Sequence, residues 1–88
     1  MSIFKALADP TRRAILDLVR DEEMNAGSIA DHFDLSKPAI SHHLKLLTQA
    51  GLLQANRQGK QIFYSIDTTA MQDLMRWTMR LVGRPEEE

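Results

Sequence analysis

The run Ser36-Lys37-Pro38-Ala39-Ile40-Ser41-His42-His43-Leu44-Lys45-Leu46-Leu47-Thr48-Gln49-Ala50-Gly51 carries its own start and stop signals. Ser36 is a good N-cap, and Pro38 falls in the first turn, where a missing N–H costs nothing. Gly51 supplies the left-handed residue that closes a helix ending at about Ala50. At about 100° per residue, Ile40, His43, Leu44, Leu47 and Ala50 gather on one side and face a core. Pro38, Ser41, His42, Lys45 and Gln49 gather on the other, with Lys37 at the exposed N-terminal end.

Immediately upstream, Asp34-Leu35-Ser36 reads as a three-residue turn. Before it, Asn25 caps a short helix whose inward residues are Ile29, Ala30 and Phe33. Two short helices joined by so short a turn predict a helix-turn-helix. Downstream of Gly51 the period changes from helical to alternating. Leu53–Arg57 and Gln61–Ile66 read as strands, Gln58-Gly59-Lys60 as the tip between them, and Ile62, Tyr64 and Ile66 share one face.

Farther out, Asp9-Pro10 has the form of a cap followed by a first-turn proline. It opens a helix to about Arg20 that buries Ile15, Leu18 and Val19. Asp21-Glu22-Glu23 marks a connection. Ile3, Phe4 and Leu7 sit at helical spacing in an apolar opening segment. Thr69-Ala70-Met71-Gln72 has the form of a capping box and opens a last helix to about Val82. Residues 83–88 read as a frayed, acidic tail. The expected fold is mainly α with a small β-hairpin: a single winged helix-turn-helix domain over residues 1–88, in the order α-α-α-α-β-β-α.

The chain has no cysteine, which excludes disulfides, thiolate metal sites and thiol redox sensing. No apolar run has signal-peptide or membrane-span length, so a cytoplasmic protein without membrane insertion is expected. The net charge of −1 argues against a nucleic-acid partner until its distribution is considered. From Leu35 to Ile66 there is no Asp or Glu, while Lys37, Lys45, Arg57 and Lys60 make that segment +4 and leave −5 for the remainder. Such asymmetry points to an anionic partner.

The outward face of the Ser36–Ala50 helix offers hydrogen-bonding groups and cations with no bulky apolar residue, which suits a DNA major groove. Ser36, Lys37, Pro38, Ser41, His42 and Lys45 are the expected contacts of this helix. Lys37 and Lys45 suit guanine or phosphate, Ser41 donates or accepts, and Pro38 suits a thymine methyl. Arg57 and Lys60 on the wing are expected at flanking phosphates or the neighbouring minor groove. Taken singly, each lysine reads as an ordinary solvated side chain. Helix-turn-helix spacing, an acid-free basic stretch and a glycine-tipped wing together read as a binding surface for double-stranded DNA. His43 falls between core positions and is expected to pack; His42 points outward.

On the last helix, Gln72, Asp73, Arg76 and Arg80 form a narrow polar strip, while Met71, Leu74, Met75, Trp77, Met79, Leu81 and Val82 fill the rest. This apolar arc spans roughly 200°, against about 100° for a helix buried on one side. Met- and Trp-bearing surfaces are common at interfaces. A homodimer through the first and last helices is expected, with Ile3, Phe4, Leu7, Met71, Leu74, Met75, Trp77, Thr78 and Leu81 at its interface.

Phe4-Lys5-Ala6-Leu7-Ala8-Asp9-Pro10-Thr11-Arg12-Arg13 with Ile15-Leu16, and Leu35–Leu47 followed by Ala50-Gly51-Leu52, resemble the ArsR (ArsR/SmtB) family of winged-helix repressors. The pattern is closest to that family's metal-independent autorepressors. The resemblance implies dimeric repression at an inverted-repeat operator, with the terminal helices as the dimer interface. The family's metal switch does not carry over. Where metal-sensing members place Cys-Val-Cys, this chain has Asn25-Ala26-Gly27, and its last helix has Asp73 but no histidine. His42 and His43 point to different faces, so no metal and no cofactor are expected. An enzyme is disfavoured, because Ser41 and His42 diverge on the helix and no orienting acid lies nearby. The remaining alternative, a winged-helix module for protein–protein contact, would be expected to expose apolar anchors on the groove-facing surface. Operator sequence and inducer are not legible from these residues.

Overall fold

The computed structural model describes residues 2–83; the expected acidic tail beyond Gly83 lies outside them. The elements run α1 (Ile3–Leu7), α2 (Pro10–Leu18), β1 (Met24–Asn25), α3 (Ala26–Ala30), α4 (Lys37–Gln49), β2 (Leu53–Gln58), β3 (Gln61–Ile66) and α5 (Thr69–Val82). The order differs from the expected one by β1. This strand adds to the hairpin to give an antiparallel sheet ordered β1-β3-β2, in which Met24 pairs with Tyr64 and Asn25 with Phe63.

Local side-chain chemistry sets most of the helix starts. Ser2 Oγ accepts from Lys5 N–H, Asp9 Oδ2 from Arg12 N–H at 3.0 Å, Asn25 Oδ1 from Ser28 N–H at 2.8 Å, and Ser36 Oγ from Ala39 N–H at 3.2 Å. Each satisfies one backbone donor that a helix start otherwise leaves open. The exception is α5. The expected capping box at Thr69 does not form: the N-cap is Thr68, without a side-chain cap bond, and Thr69 N–H donates instead to Asp67 Oδ1 at 3.0 Å. Asp67 thus takes the N–H that the Gln72 side chain of a capping box would accept, and Gln72 N–H donates to Thr68 O at 2.8 Å rather than to the Thr69 hydroxyl.

Ala6, Ile15, Leu16, Val19, Ile29, Ile40, Leu44, Leu47, Leu52 and Leu53 form one buried cluster. Leu18 and Phe33 pack against it only partly buried; α2 ends at Leu18 rather than near Arg20, and Phe33 lies beyond the end of α3. Gly51, at φ +79°, turns the chain from α4 into the wing, and Leu52 N–H returns to Leu47 O at 3.0 Å. Gly59, at φ +66°, takes the turn position that needs a positive φ, so Gln58 pairs directly with Gln61. Tyr64 and Ile66 cover the core as expected, but Ile62, on the same face, is 39% exposed because the wing tip extends beyond it.

α5 is anchored differently from the rest. It has no buried residue, and it meets α1 through Phe4 and Trp77, whose rings pack edge-on at 5.8 Å. The overall dimensions of 45 × 25 × 21 Å are those of an elongated molecule.

The Arg12 N–H bond, helped by the nearby Arg12 guanidinium charge, outweighs desolvation and holds the Asp9 carboxyl below its ordinary pKa. Asp9→Ala is therefore expected to destabilise the fold by about 1 kcal/mol at neutral pH, a fall of roughly 4–8 °C in Tm. A lowered folded-state pKa gives stability that is present above the unfolded pKa and disappears as pH falls through the folded one. Thermal melts of the two proteins should thus converge in acid; a difference that persists there would contradict the capping role.

Candidate nucleic-acid interface

The site is built on α4. Ile40, Leu44 and Leu47 are at most 1% exposed, and burying this stripe fixes the rotation of the helix about its axis. Lys37, Pro38, Ser41, His42, Lys45 and Gln49 are consequently exposed. Thirteen residues give a helix about 20 Å long, narrow enough to enter a groove about 12 Å wide. Ser36 has a double position: its Oγ is committed as an acceptor to Ala39 N–H, while its hydroxyl proton remains available to an outside acceptor.

The wing comes back toward this face. Ser41 of α4 and Lys60 and Gln61 of the hairpin line one open notch of about 460 Å³ with Asn25, Gly27 and Tyr64. The structure therefore brings Ser41 and Lys60 together across a concave surface. Arg57 is exposed on β2, paired across the ladder with Ile62, and lies outside the notch. Among the described residues the ion pairs are Arg20–Asp21 and Asp73–Arg76, so none of Lys37, Lys45, Arg57 and Lys60 is neutralised by a carboxylate.

Two features of the site went unread in the sequence. Asn25 does more than cap α3: its Nδ2 donates to Gln61 Oε1 at 2.8 Å, tying the start of the helix-turn-helix to the wing. Arg12 on α2 donates through Nε to Ala6 O at 2.8 Å, through Nη2 to Lys5 O at 3.0 Å, and through Nη1 to His43 Nδ1 at 3.2 Å. His43 is half-buried, as its place between core positions predicts, but its polar partner comes from a helix distant in sequence. The only signal for that contact was the intermediate position of His43 on the helical wheel.

The residues expected at a dimer surface divide into two groups. Ile3, Leu7 and Met71 are partly covered by their own domain, and Leu74 is half-buried. Phe4, Met75, Trp77, Thr78 and Leu81 are exposed, and the Thr78 hydroxyl donates back to Met75 O at 2.9 Å. Ile3, Phe4, Leu74 and Trp77 also line a groove of about 380 Å³ between α1 and α5. Among the described residues no three His, Asp or Glu side chains converge on a point that would hold a metal ion, and no helix is long and apolar enough to cross a membrane.

A helix-turn-helix backed by a three-stranded wing, with a basic, acid-free outer face, is the architecture of winged-helix transcriptional regulators. The family description "Bacterial regulatory protein, arsR family" matches residues 9–55, and the chain belongs to that family. It is 46% identical over 87 residues to the transcriptional repressor SdpR of Bacillus subtilis (strain 168), covering 99% of this chain and 97% of that relative. An arsenical resistance operon repressor of Staphylococcus aureus is 32% identical over 75 residues, 85% of this chain and 72% of that one. The solved structure of an ArsR-like transcriptional regulator from Rhodococcus sp. RHA1 matches with a TM-score of 0.86 at 30% identity, covering 92% of this chain and 74% of that one. All three are named as regulators or repressors, a non-enzymatic class.

The two halves of the site should respond differently to mutation. Ser41→Ala and His42→Ala are expected to relax base preference at single positions, by about 1–3 kcal/mol. Arg57→Ala and Lys60→Ala should weaken all duplexes alike, each lowering the slope of log K against log salt by about 0.9 for a lost phosphate contact. Affinities for matched and mismatched duplexes across a salt series check both; a salt-independent affinity would contradict the electrostatic assignment.

Proposed function

We propose that this chain is a cytoplasmic transcriptional repressor that binds an inverted-repeat DNA operator as a homodimer and works without a metal ion. The observation that carries the DNA reading is the opposition of Ser41 and Lys60 across one notch, on a face where four cations lack carboxylate partners. In this reading α4 enters the major groove, with Ser36, Lys37, Pro38, Ser41, His42 and Lys45 against phosphates and base edges. The wing places Arg57 and Lys60 on the flanking backbone. Repression is the activity named for the relative from Bacillus subtilis, and autorepression is the form of it that the sequence resemblance implies for this chain.

The homodimer rests on the distribution of exposed apolar side chains. Eight large hydrophobic residues are exposed among the described residues, and six of them, Phe4, Met75, Trp77, Met79, Leu81 and Val82, lie on α1 or α5. That concentration is what a two-fold interface covers. Ile3, Leu7, Met71 and Leu74 would continue it inward from the exposed surface. Asn25-Ala26-Gly27 and the histidine-free α5 offer no metal-sensing ligand set, so control would come from another effector or from repressor concentration.

The test is a selection of random duplexes on the purified protein, followed by titration of the enriched sequence across salt and by sedimentation. A palindromic winner, with half-sites about one helical turn apart or a multiple of it, and a steep salt dependence are expected. No enrichment, with only weak binding at low salt, would favour the protein-interaction alternative. In sedimentation the wild type should run as a dimer and Leu81→Glu as a 10.0 kDa monomer. A wild type that is monomeric at micromolar concentration would overturn the dimer.

A further inference from the structure

Arg12 lies at a junction that the proposed DNA face does not explain. Its guanidinium joins three helices: the last two residues of α1 before the final leucine through Ala6 O and Lys5 O, its own α2, and the recognition helix α4 through His43. Three of its five N–H groups are engaged, each by a different acceptor. The two carbonyls belong to the C-terminal end of α1, where a helix leaves acceptors open and a cation is favoured. The third contact fixes a protonation state. A guanidinium has no acceptor, so His43 Nδ1 must present its lone pair, and the ring proton must sit on Nε2.

We propose that Arg12 is a positioning residue for DNA recognition, locking α4 to α1 through His43 so that operator affinity depends on a side chain outside the contact face. The proposal rests on the DNA-binding reading above. α1 carries Phe4 of the exposed apolar surface while α4 carries Ser41 and Lys45, and among the described residues the hydrogen bonds that link the two helices are those of Arg12. His43 sits one turn before Leu47 and two residues after Ser41, so a shift of its ring moves the helix where the groove-facing side chains are attached. A planar fork with fixed donor directions holds such a junction in one geometry; a lysine ammonium does not span the same three acceptors.

The experiment uses Arg12→Met, His43→Phe, the double variant and His43→Gln, whose amide oxygen restores an acceptor near Nδ1. For the duplex enriched by wild type, Arg12→Met is expected to weaken binding about tenfold or more, the size of losing hydrogen bonds to a charged group. His43→Phe should weaken it less, the double variant no more than Arg12→Met alone, and His43→Gln should recover most of the loss. The salt slope should stay that of wild type, because no phosphate contact is removed; a slope reduced by about 0.9 would make Arg12 a direct DNA contact and overturn the proposal. Losses that multiply in the double variant would also overturn it. Nitrogen-detected NMR of the imidazoles supplies a readout independent of DNA: the Nε2–H tautomer of His43 is expected in wild type and a mixture in Arg12→Lys. Should the wild type bind no duplex, the NMR result still decides whether the lock exists, while the DNA reading fails on its own. An Nδ1–H tautomer in wild type would remove the lock whatever the DNA result.

Discussion

Burial of one stripe on α4 sets the terms for everything this molecule presents to a partner. Ile40, Leu44 and Leu47 are spaced to meet the core once per turn, and they meet Ile15, Val19, Ile29 and Leu52 in a single cluster. Each such side chain contributes about 1.5–3 kcal/mol by leaving water, so rotating α4 by even a third of a turn would forfeit several of these contributions at once. The orientation of Ser41, His42 and Lys45 is therefore a consequence of packing, and needs no energy from the polar face itself. The same stripe fixes where Gly51 must reverse the chain, and hence where the wing begins.

Charge is organised on top of that frame. An acidic chain repels a polyanion at long range, yet the Debye length in physiological salt is about 8 Å, so a local field outweighs a distant net charge. The acid-free segment Leu35–Ile66 contains both α4 and the wing, and the fold brings its two ends to a common notch lined by Ser41 and Lys60. Carboxylates such as Asp17, Asp21, Glu22 and Glu23 instead line a separate groove beside Met71 at the start of α5. Most of these carboxylates are thus set apart from the notch, with Glu23 as the exception, since its Oε2 accepts from Gln58 Nε2 of the wing at 3.0 Å. That arrangement favours one docking orientation over others and penalises binding through the wrong face.

What was legible in the sequence and what was not divides along the range of the interactions involved. Caps at Asp9, Asn25 and Ser36, the left-handed glycine Gly51 and the α4 wheel are local matters, decided within a few residues, and each could be read directly. β1 is two residues long and exists only because Met24 and Asn25 find Tyr64 and Phe63 nearly forty positions away, so no local pattern announces it. The Thr69 capping box failed for a local reason that pattern matching misses, since Asp67 competes for the same N–H. At the site, the outward residues of α4 followed from periodicity. The shared notch of Ser41 and Lys60, the second bond of Asn25 to Gln61 and the three-way bonding of Arg12 depend on how whole elements dock. The proposed dimer residues were legible as an apolar excess, although the partial burial of Ile3, Leu7 and Met71 in their own domain was not.

Asn25 and Arg12 brace the proposed DNA-binding elements with hydrogen bonds rather than with apolar area. Asn25 occupies the position where the resemblance drawn from sequence would place a metal-binding cysteine, and here its amide spends both ends on structure, one on Ser28 N–H and the other on Gln61 Oε1. A side chain so engaged holds α3 and the wing in one relation, as Arg12 holds α1 and α4. Each contact joins one element of the proposed DNA face, the wing or α4, to a neighbouring helix, and neither contributes much apolar area. Their net worth is modest in stability, about 1 kcal/mol for a neutral hydrogen bond and up to about 3 when one partner is charged. Their effect on geometry is larger, because a binding constellation must be held within about 0.5 Å of its productive arrangement. Loss of either bond would therefore displace the surface it braces more than it would destabilise the fold. A fold whose packing is carried by α4 and its apolar neighbours can therefore change its affinity for a partner without unfolding.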